Sequence, residues 1–397
     1  MKRFLSLALL VSAVATFPVA AQGSTWSLKT NPLPSGGKEG TARGVSCAAT
    51  FCASVGDFKT SIWGASGDEL LEPGEWKSAE ILANPGPKNG DLRGVSCWAA
   101  EECRAAGAYG TSGGTGELLV EVRLEGQKKW EQQTAGKSPG STPEFRGISC
   151  ILSGTYCLAV GQFAGGVKGE AAFAQEWNSA NWIPLAAPEN PGNRKHGHLT
   201  SVSCVSKTFC MAAGGWGREV LGKEVIQAGS MTYNKTEKIW APIEAAEPAT
   251  AENGDFYAIS CVSSTFCMAV GNWKENPELE TGGPTRILAD IWNGTKWTVS
   301  LSSGPASINE GTLRGVSCLS AEECEVVGDY INATTLKREP LAYVYKKGTW
   351  ERQTVAAPVG ATASGLEAVS CKAAEKCQAT GTEATSTLEF FPFAATL

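Results

Sequence analysis

The chain holds fourteen cysteines, and all of them fall into close pairs: Cys47/Cys52, Cys97/Cys103, Cys150/Cys157, Cys204/Cys210, Cys261/Cys267, Cys318/Cys324 and Cys371/Cys377. Two thiols at short spacing can do one of two things. They can bind a metal as thiolates, or they can oxidise to a disulfide. Structural zinc needs four ligands, with Cys or His in tight spacing. Here each pair stands alone in its own stretch of chain, and the whole sequence has two histidines. The disulfide reading is therefore preferred. Each bridge would close a very small loop, for which chain entropy allows about 2 kcal/mol as an upper bound. With every cysteine paired, none is left as a nucleophile.

A second set of residues recurs with the cysteines. Arg43, Arg93, Arg146 and Arg314 occupy the same place shortly before the first Cys of their repeats, where the other copies carry Ser201, Ala258 and Glu367 or have shifted by a residue. They form either a partial cationic ring suited to a carboxylate or another anion, or a set of ion pairs with acids of neighbouring repeats. Asp57 and Asp329 recur at the position filled elsewhere by Ala108, Gln162, Gly215, Asn272 and Thr382. They suit pairing with those arginines, or Ca²⁺ binding through oxygen ligands. Aromatics follow, among them Phe58, Tyr109, Phe163, Trp216, Trp273 and Tyr330. Trp216 and Trp273 would suit stacking on a sugar if exposed, and packing between repeats if not. His196 and His198 alternate, so a strand would put both imidazoles on one side, although an exposed loop is the simpler expectation. Asn234, Asn293 and Asn332 head sequons that read as ordinary turns.

No G-x-S-x-G elbow, HExxH helix or P-loop is present. Paired carboxylates for glycan cleavage, such as Asp57, Asp255 and Asp329, stay open because their separation is set in three dimensions.

The elements that must position these residues follow from the repeat. First cysteines are 50, 53, 54, 57, 57 and 53 residues apart, a period that signals a solenoid, propeller or array. A short strand ends at each first Cys (RGVSC, RGISC, TSVSC, YAISC, EAVSC). A polar turn follows, and a second strand starts at the second Cys (CASVG, CLAVG, CMAVG, CEVVG). The disulfide then staples a hairpin across its turn. A third strand is clearest in TRILADIWNG and LAYVYKKG. A fourth is marked by Trp76, Trp130, Trp182, Trp240, Trp297 and Trp350. Seven hairpins have six such Trp strands downstream, and the seventh lies at the other end of the chain, at Trp26 in STWSLKTN. That offset predicts an all-β, seven-bladed β-propeller of four-stranded blades, each with one disulfide, in which the N-terminal Trp strand completes the last blade and closes the ring. An open array of small stapled β modules is the alternative.

The unit SCxSxxFCxAVG followed by WNGxxW, as in SCVSSTFCMAVGNW (260–273) with WNGTKW (292–297), resembles the repeats of secreted bacterial propeller-like proteins of actinobacterial type. The resemblance covers nearly the whole chain after its first twenty residues. It implies a seven-bladed extracytoplasmic propeller and no particular activity. The Asp-box of sialidase-type repeats, the Gly-His and Trp-Asp signature of WD40 repeats and the double glycine of kelch repeats are all missing.

Lys2, Arg3, the apolar run 4–17 and the small residues 19–21 read as an export signal cut after Ala21, leaving 22–397 as one domain. An exported protein is also where disulfides persist. Loss of Lys2 and Arg3 takes the net charge from −6 to −8, which argues against nucleic acid as a partner. No second apolar run is long enough to span a membrane. Sevenfold repetition argues for architecture, so function is expected where the copies differ. The loops between second and third strands at 215–227 and 272–286 are the longest and most charged. The expected function is a secreted, monomeric, non-catalytic binding propeller for carbohydrate or an extracellular protein partner, with no cofactor unless it is Ca²⁺. The alternative is a glycan-acting hydrolase or lyase using carboxylates near the channel mouth.

Overall fold

A computed structural model describes residues 21–60, 63–71, 74–79, 88–111, 116–127, 129–166, 169–186, 196–220, 223–275 and 283–397. The expected export signal lies almost wholly outside the described residues. Those residues are strands and turns, and no helix occurs among them.

Five four-stranded antiparallel sheets follow one another along the chain, each built from consecutive strands. Their first, innermost strands are Glu39–Ala48, Lys88–Ala99, Ser141–Ile151, Gly197–Ser206 and Ala251–Ser263. A sixth set runs from Ile308–Ser320 to Thr349–Val355, and a seventh begins with Ala363–Ala373, Lys376–Ala384 and Phe390–Thr396. The fourth strand beside Phe390–Thr396 is Ala21–Thr30, paired antiparallel with Ser27 opposite Thr396 and Thr30 opposite Phe393. The same strand also touches Thr349–Val355 in parallel, with Trp26 opposite Val355. The architecture is that of a multi-blade β-propeller.

Each sheet is stapled as the cysteine spacing predicts. All seven disulfides form within a hairpin: Cys47–Cys52, Cys97–Cys103, Cys150–Cys157, Cys204–Cys210, Cys261–Cys267, Cys318–Cys324 and Cys371–Cys377. In every case the two cysteines are directly opposite in the ladder. The two halves of each bridge differ in surroundings. The second cysteines, Cys52, Cys103, Cys157, Cys210, Cys267, Cys324 and Cys377, are all completely buried, whereas the first ones keep some exposure. The second strands are buried on both faces, as Phe51–Asp57 and Cys324–Tyr330 illustrate. A strand covered by a neighbouring sheet on each side reads as a continuous apolar run with no alternation, which explains CLAVG and CMAVG.

Two repeated contacts join neighbouring sheets. The serine before each first Cys accepts a hydrogen bond from the amide of the corresponding Cys in the next sheet, at 2.9–3.0 Å in all seven cases. The series runs from Ser46 to Cys97 and onward to Ser317 and Cys371, and Ser370 then accepts from Cys47. The tryptophans of the fourth strands supply the second contact. Five of them donate their indole N–H to a side chain of the preceding sheet: Trp130 to Glu69, Trp182 to Gln133, Trp297 to Ser230, Trp350 to Ser300 and Trp26 to Gln353. Trp26 thus does for the seventh sheet what Trp350 does for the sixth. Val45, Leu70 and Trp76 of the first sheet pack with Ala394 of the seventh.

The innermost strands share one irregularity. Each carries a β-bulge four residues before its first Cys, so that Arg43, Arg93, Arg146, Thr200, Tyr257, Arg314 and Glu367 are the extra residues. A bulge leaves one residue unpaired and turns its side chain away from the regular pleat. The partner strand answers with a glycine: Gly56, Gly107, Gly161, Gly214, Gly271, Gly328 or Gly381. A Cβ on any of them would lie 1.8–2.1 Å from a carbonyl oxygen of the bulged strand. The glycine that ends each CxAVG motif is therefore the counterpart of the bulge opposite.

Candidate functional site

The antiparallel hairpins put the disulfide turns at one end of every sheet. The connections into the first strand, and those between second and third strands, lie at the other end. The cysteines therefore belong to the scaffold, as the disulfide reading expects. Cys103, Cys157, Cys210 and Cys267 have no exposed surface and pack in the apolar clusters between sheets. Cys52, Cys324 and Cys377 are placed in the same way. Their sulfurs fix hairpins from the inside, where no ligand can reach them, and no free thiol remains.

At the loop end the inner strands present two successive layers. Six residues before the first Cys stand Thr41, Asp91, Glu144, His198, Asp255, Thr312 and Gly365. Four residues before it stand the bulged residues, and the residue between, such as Leu92, Phe145 or Leu313, is fully buried. The bulged residues and the one or two that follow them line a central cavity of about 350 Å³ to which all seven inner strands contribute.

This placement corrects the repeat alignment. The equivalents of the arginines are Thr200 and Tyr257, one residue earlier than Ser201 and Ala258. Thr200 turns inward, where its hydroxyl donates to the Ala213 and Phe256 carbonyls. Tyr257 faces the cavity, and burial raises the pKa of its phenol, with Asp255 adding to the effect.

The four arginines do line the cavity, and each is held by acids. Arg43 contacts Asp91 of the next sheet at 3.0 Å and Asp57 at 3.7 Å. Arg93 contacts Asp91 at 2.8 Å and Glu144 of the next sheet at 3.2 Å. Arg146 contacts Glu144 at 2.7 Å. Arg314 contacts Asp329 at 2.5 Å and Glu367 at 3.7 Å, and Arg338 closes on the other oxygen of Asp329. Three cations thus alternate with three acids on one side, and two with two on the other. The ring is a compensated ladder and not a cationic one. Burial works against the Arg43 and Arg314 charges, yet the surrounding acids outweigh it and both pKa values are raised. Burial pushes Asp57 and Glu367 upward, against the pull of the nearby arginines.

Asp57 is also bonded to Thr41, and Asp329 is buried between its two arginines. Among the described residues no group of three His, Cys, Asp or Glu side chains is gathered to hold a metal. The acids considered for Ca²⁺ are engaged by arginine, and the donor set does not fit the ion.

Trp216 and Trp273 require a correction. They are 1% and 4% exposed and sit in the core between sheets. The Trp273 indole donates to the Ser302 carbonyl at 2.8 Å. Neither ring can stack on a ligand, because a neighbouring sheet covers it. Among the described residues, Phe390 is an aromatic exposed at this end, 42% accessible, at the start of the last strand.

The histidines part company. His196 meets Glu224 at 2.5 Å near the surface, while His198 is on the strand Gly197–Ser206 and its Nε2 meets Asp255 of the next sheet at 2.8 Å. Asp255 opens onto a second cavity, of about 340 Å³, with Tyr257, Asn272, Lys274, Thr312, Arg314 and Arg338. There the Asn272 amide donates to Thr312 at 3.2 Å and to the Tyr257 hydroxyl at 3.4 Å. A third cavity, of about 250 Å³, holds Ser364, Thr382, Glu383 and Phe390, and shares Arg314 and Arg338 with the second. Sequence reasoning missed Asp91, Glu144 and His198 as members of the ring. The signal was present as D-L-R-G and E-F-R-G, since residues two apart in a strand share a face.

The second-to-third connection of the fourth sheet, expected as a loop, is a longer hairpin whose strands stay paired as far as Val220 with Lys223. The corresponding segment of the fifth sheet lies in part outside the described residues.

No family profile matches the chain, and no curated protein matches it. Solved structures do. A polysaccharide lyase of family PL25, an ulvan lyase bound to -[GlcA(1-4)Rha3S]-, is similar with a TM-score of 0.61 and 12% identity, over 92% of this chain and 94% of that one. A second structure of a PL25 ulvan lyase gives 0.55 and 12% identity, over 94% and 95%. At this identity the likeness is one of fold.

Proposed function

We propose that this protein is an exported, seven-bladed β-propeller, closed by its N-terminal Trp strand, that binds carbohydrate at the loop end of its central channel. The observation that carries the reading is the convergence there of three adjoining cavities lined by hydroxyl, amide, carboxylate and guanidinium groups. Two of them fall in the size range of small-ligand sites. Such a surface offers donors and acceptors in alternation, which is what a hydroxyl-rich ligand needs. The closed ring is supported by the Ser370–Cys47 bond and by Trp26 in the seventh sheet. Export is supported by the basic, apolar and small-residue succession at residues 2–21 and by seven disulfides. The fold shared with two ulvan lyases adds weight to a glycan ligand.

A second reading, elimination or hydrolysis of a glycan, is favoured by one observation: the His198–Asp255 pair beside Tyr257. A carboxylate that orients an imidazole leaves its other nitrogen for proton transfer. With an acidic sugar, Arg314 would face the substrate carboxylate.

One experiment separates the two. The oxidised protein is run through native gels containing ulvan, xylan, mannan or polygalacturonate, and incubated with the same polymers. Retention without new reducing ends or unsaturated product supports binding alone. Product that disappears in His198→Ala, with retention preserved, establishes the second reading. No retention on any polymer overturns both.

A further inference from the structure

The second and third cavities meet at Arg314 and Arg338, which line both. We propose that together they form one groove for an uncharged oligosaccharide chain, with Phe390 as its stacking platform. This inference rests on the carbohydrate reading and narrows it.

Three observations support it. The first is extent. One cavity lies between the fifth and sixth sheets, and the other over the sixth, seventh and first, so the joined space is elongated across the channel mouth and suits a chain more than a single ring.

The second is charge. Arg314 and Arg338 are both tied to Asp329, and Arg314 also reaches Glu367. Lys274 shares its cavity with Glu310 and Asp255, and Glu383 adds another acid beside Phe390. Among the described residues the groove has no surplus of positive charge. A polyanion would have to displace bonded carboxylates to reach a guanidinium, whereas a neutral polyol can bridge ion pairs without breaking them.

The third is chemistry at the surface. Phe390 is part-exposed beside polar groups, and one face of a pyranose presents C–H groups that pack on such a ring while its rim hydroxyls reach outward. Two acceptors or donors at the groove lack partners: the hydroxyl of Ser364, which is 3% exposed, and one carboxylate oxygen of Asp255. Buried polar atoms without partners are uncommon in folded proteins, and a sugar hydroxyl satisfies either.

The test is calorimetry of the oxidised protein with cello-, xylo- and manno-oligosaccharides of increasing length, beside polygalacturonate and heparin as polyanions, at low and high salt. The inference expects affinity for at least one neutral series to rise with chain length and to be insensitive to salt. Phe390→Ala weakens it by about tenfold, and Leu388→Ala, exposed on the same segment but outside the groove, leaves it unchanged. Binding confined to polyanions and steeply weakened by salt overturns the inference and leaves the carbohydrate reading standing. Unaltered binding by Phe390→Ala overturns the placement. No binding to any glycan overturns both.

Discussion

The Ser370 hydroxyl accepts a hydrogen bond from the Cys47 amide at 2.9 Å, across 323 residues of chain. Six further serine–cysteine pairs repeat it between sheets adjacent in sequence. Ser370 is the member that joins the last repeat to the first. A hydrogen bond of this kind contributes about 1 kcal/mol. Ser203→Ala and Ser370→Ala should each cost about that much in denaturant titrations. Hydrogen exchange should differ between them, with Ser370→Ala releasing the Cys47 amide first.

Gly271→Ala should be far more damaging than its size suggests. The added methyl would stand 1.8 Å from the Asp255 carbonyl oxygen, and backbone on both sides leaves it nowhere to move. A cost of about 3 kcal/mol or more is expected, read as a loss of folded yield or a large drop in Tm. Gly126→Ala is the control. It has positive φ but nothing within 4 Å of the new methyl, so it should cost about 1 kcal/mol.

Trp26 is 2% exposed and bonds Gln353 at 2.7 Å. Trp26→Ala should destabilise by about 3–5 kcal/mol. Trp26→Phe keeps most of the burial and loses the indole donor, so about 1–2 kcal/mol is expected. Limited proteolysis should then cut first in the 21–30 segment if that strand is the last to dock.

Stability should fall as pH rises from about 4.5 toward 8. Burial pushes the Glu121 and Glu325 carboxyls up to about 8, and neither oxygen of Glu121 has a hydrogen-bond partner. Between the unfolded value and 8 the folded chain holds protons that the unfolded chain has released, so the slope of stability with pH is negative there and flat below it. Glu121→Gln should flatten that slope and raise Tm at pH 8 relative to pH 5, by the equivalent of about 3–4 kcal/mol. Calorimetric scans across that range check it.

Much of the scaffold could be read from the chain, because the features that repeat are also local. A hairpin turn, its two cysteines and the apolar run after them lie within a few residues, and Trp26 could be counted into place because six copies lacked a seventh. The mouth was harder. The arginines were visible, and D-L-R-G and E-F-R-G put Asp91 and Glu144 on their face, but the reach of those acids across sheets to Arg43 and Arg93 is set by packing. Thr200 and Tyr257 stand four residues before their first Cys as the arginines do, so TSVSC and YAISC align with RGVSC without a gap, but the bulge itself leaves no mark on the strand that bears it. Its mark is the glycine on the opposite strand, the last residue of CASVG and its copies. Trp216 and Trp273 sit two residues past that glycine, and only the packing of sheet on sheet decides whether such a ring faces water.

The bulge has a consequence for how such a mouth changes over time. Its geometry is held by backbone and by glycine, and it makes no demand on the side chain it ejects. Arg, Thr, Tyr and Glu already occupy the seven places. The scaffold therefore offers seven sockets that can be refilled one at a time, so descendants of one ancestral ring could exchange ligands while every strand stays where it is.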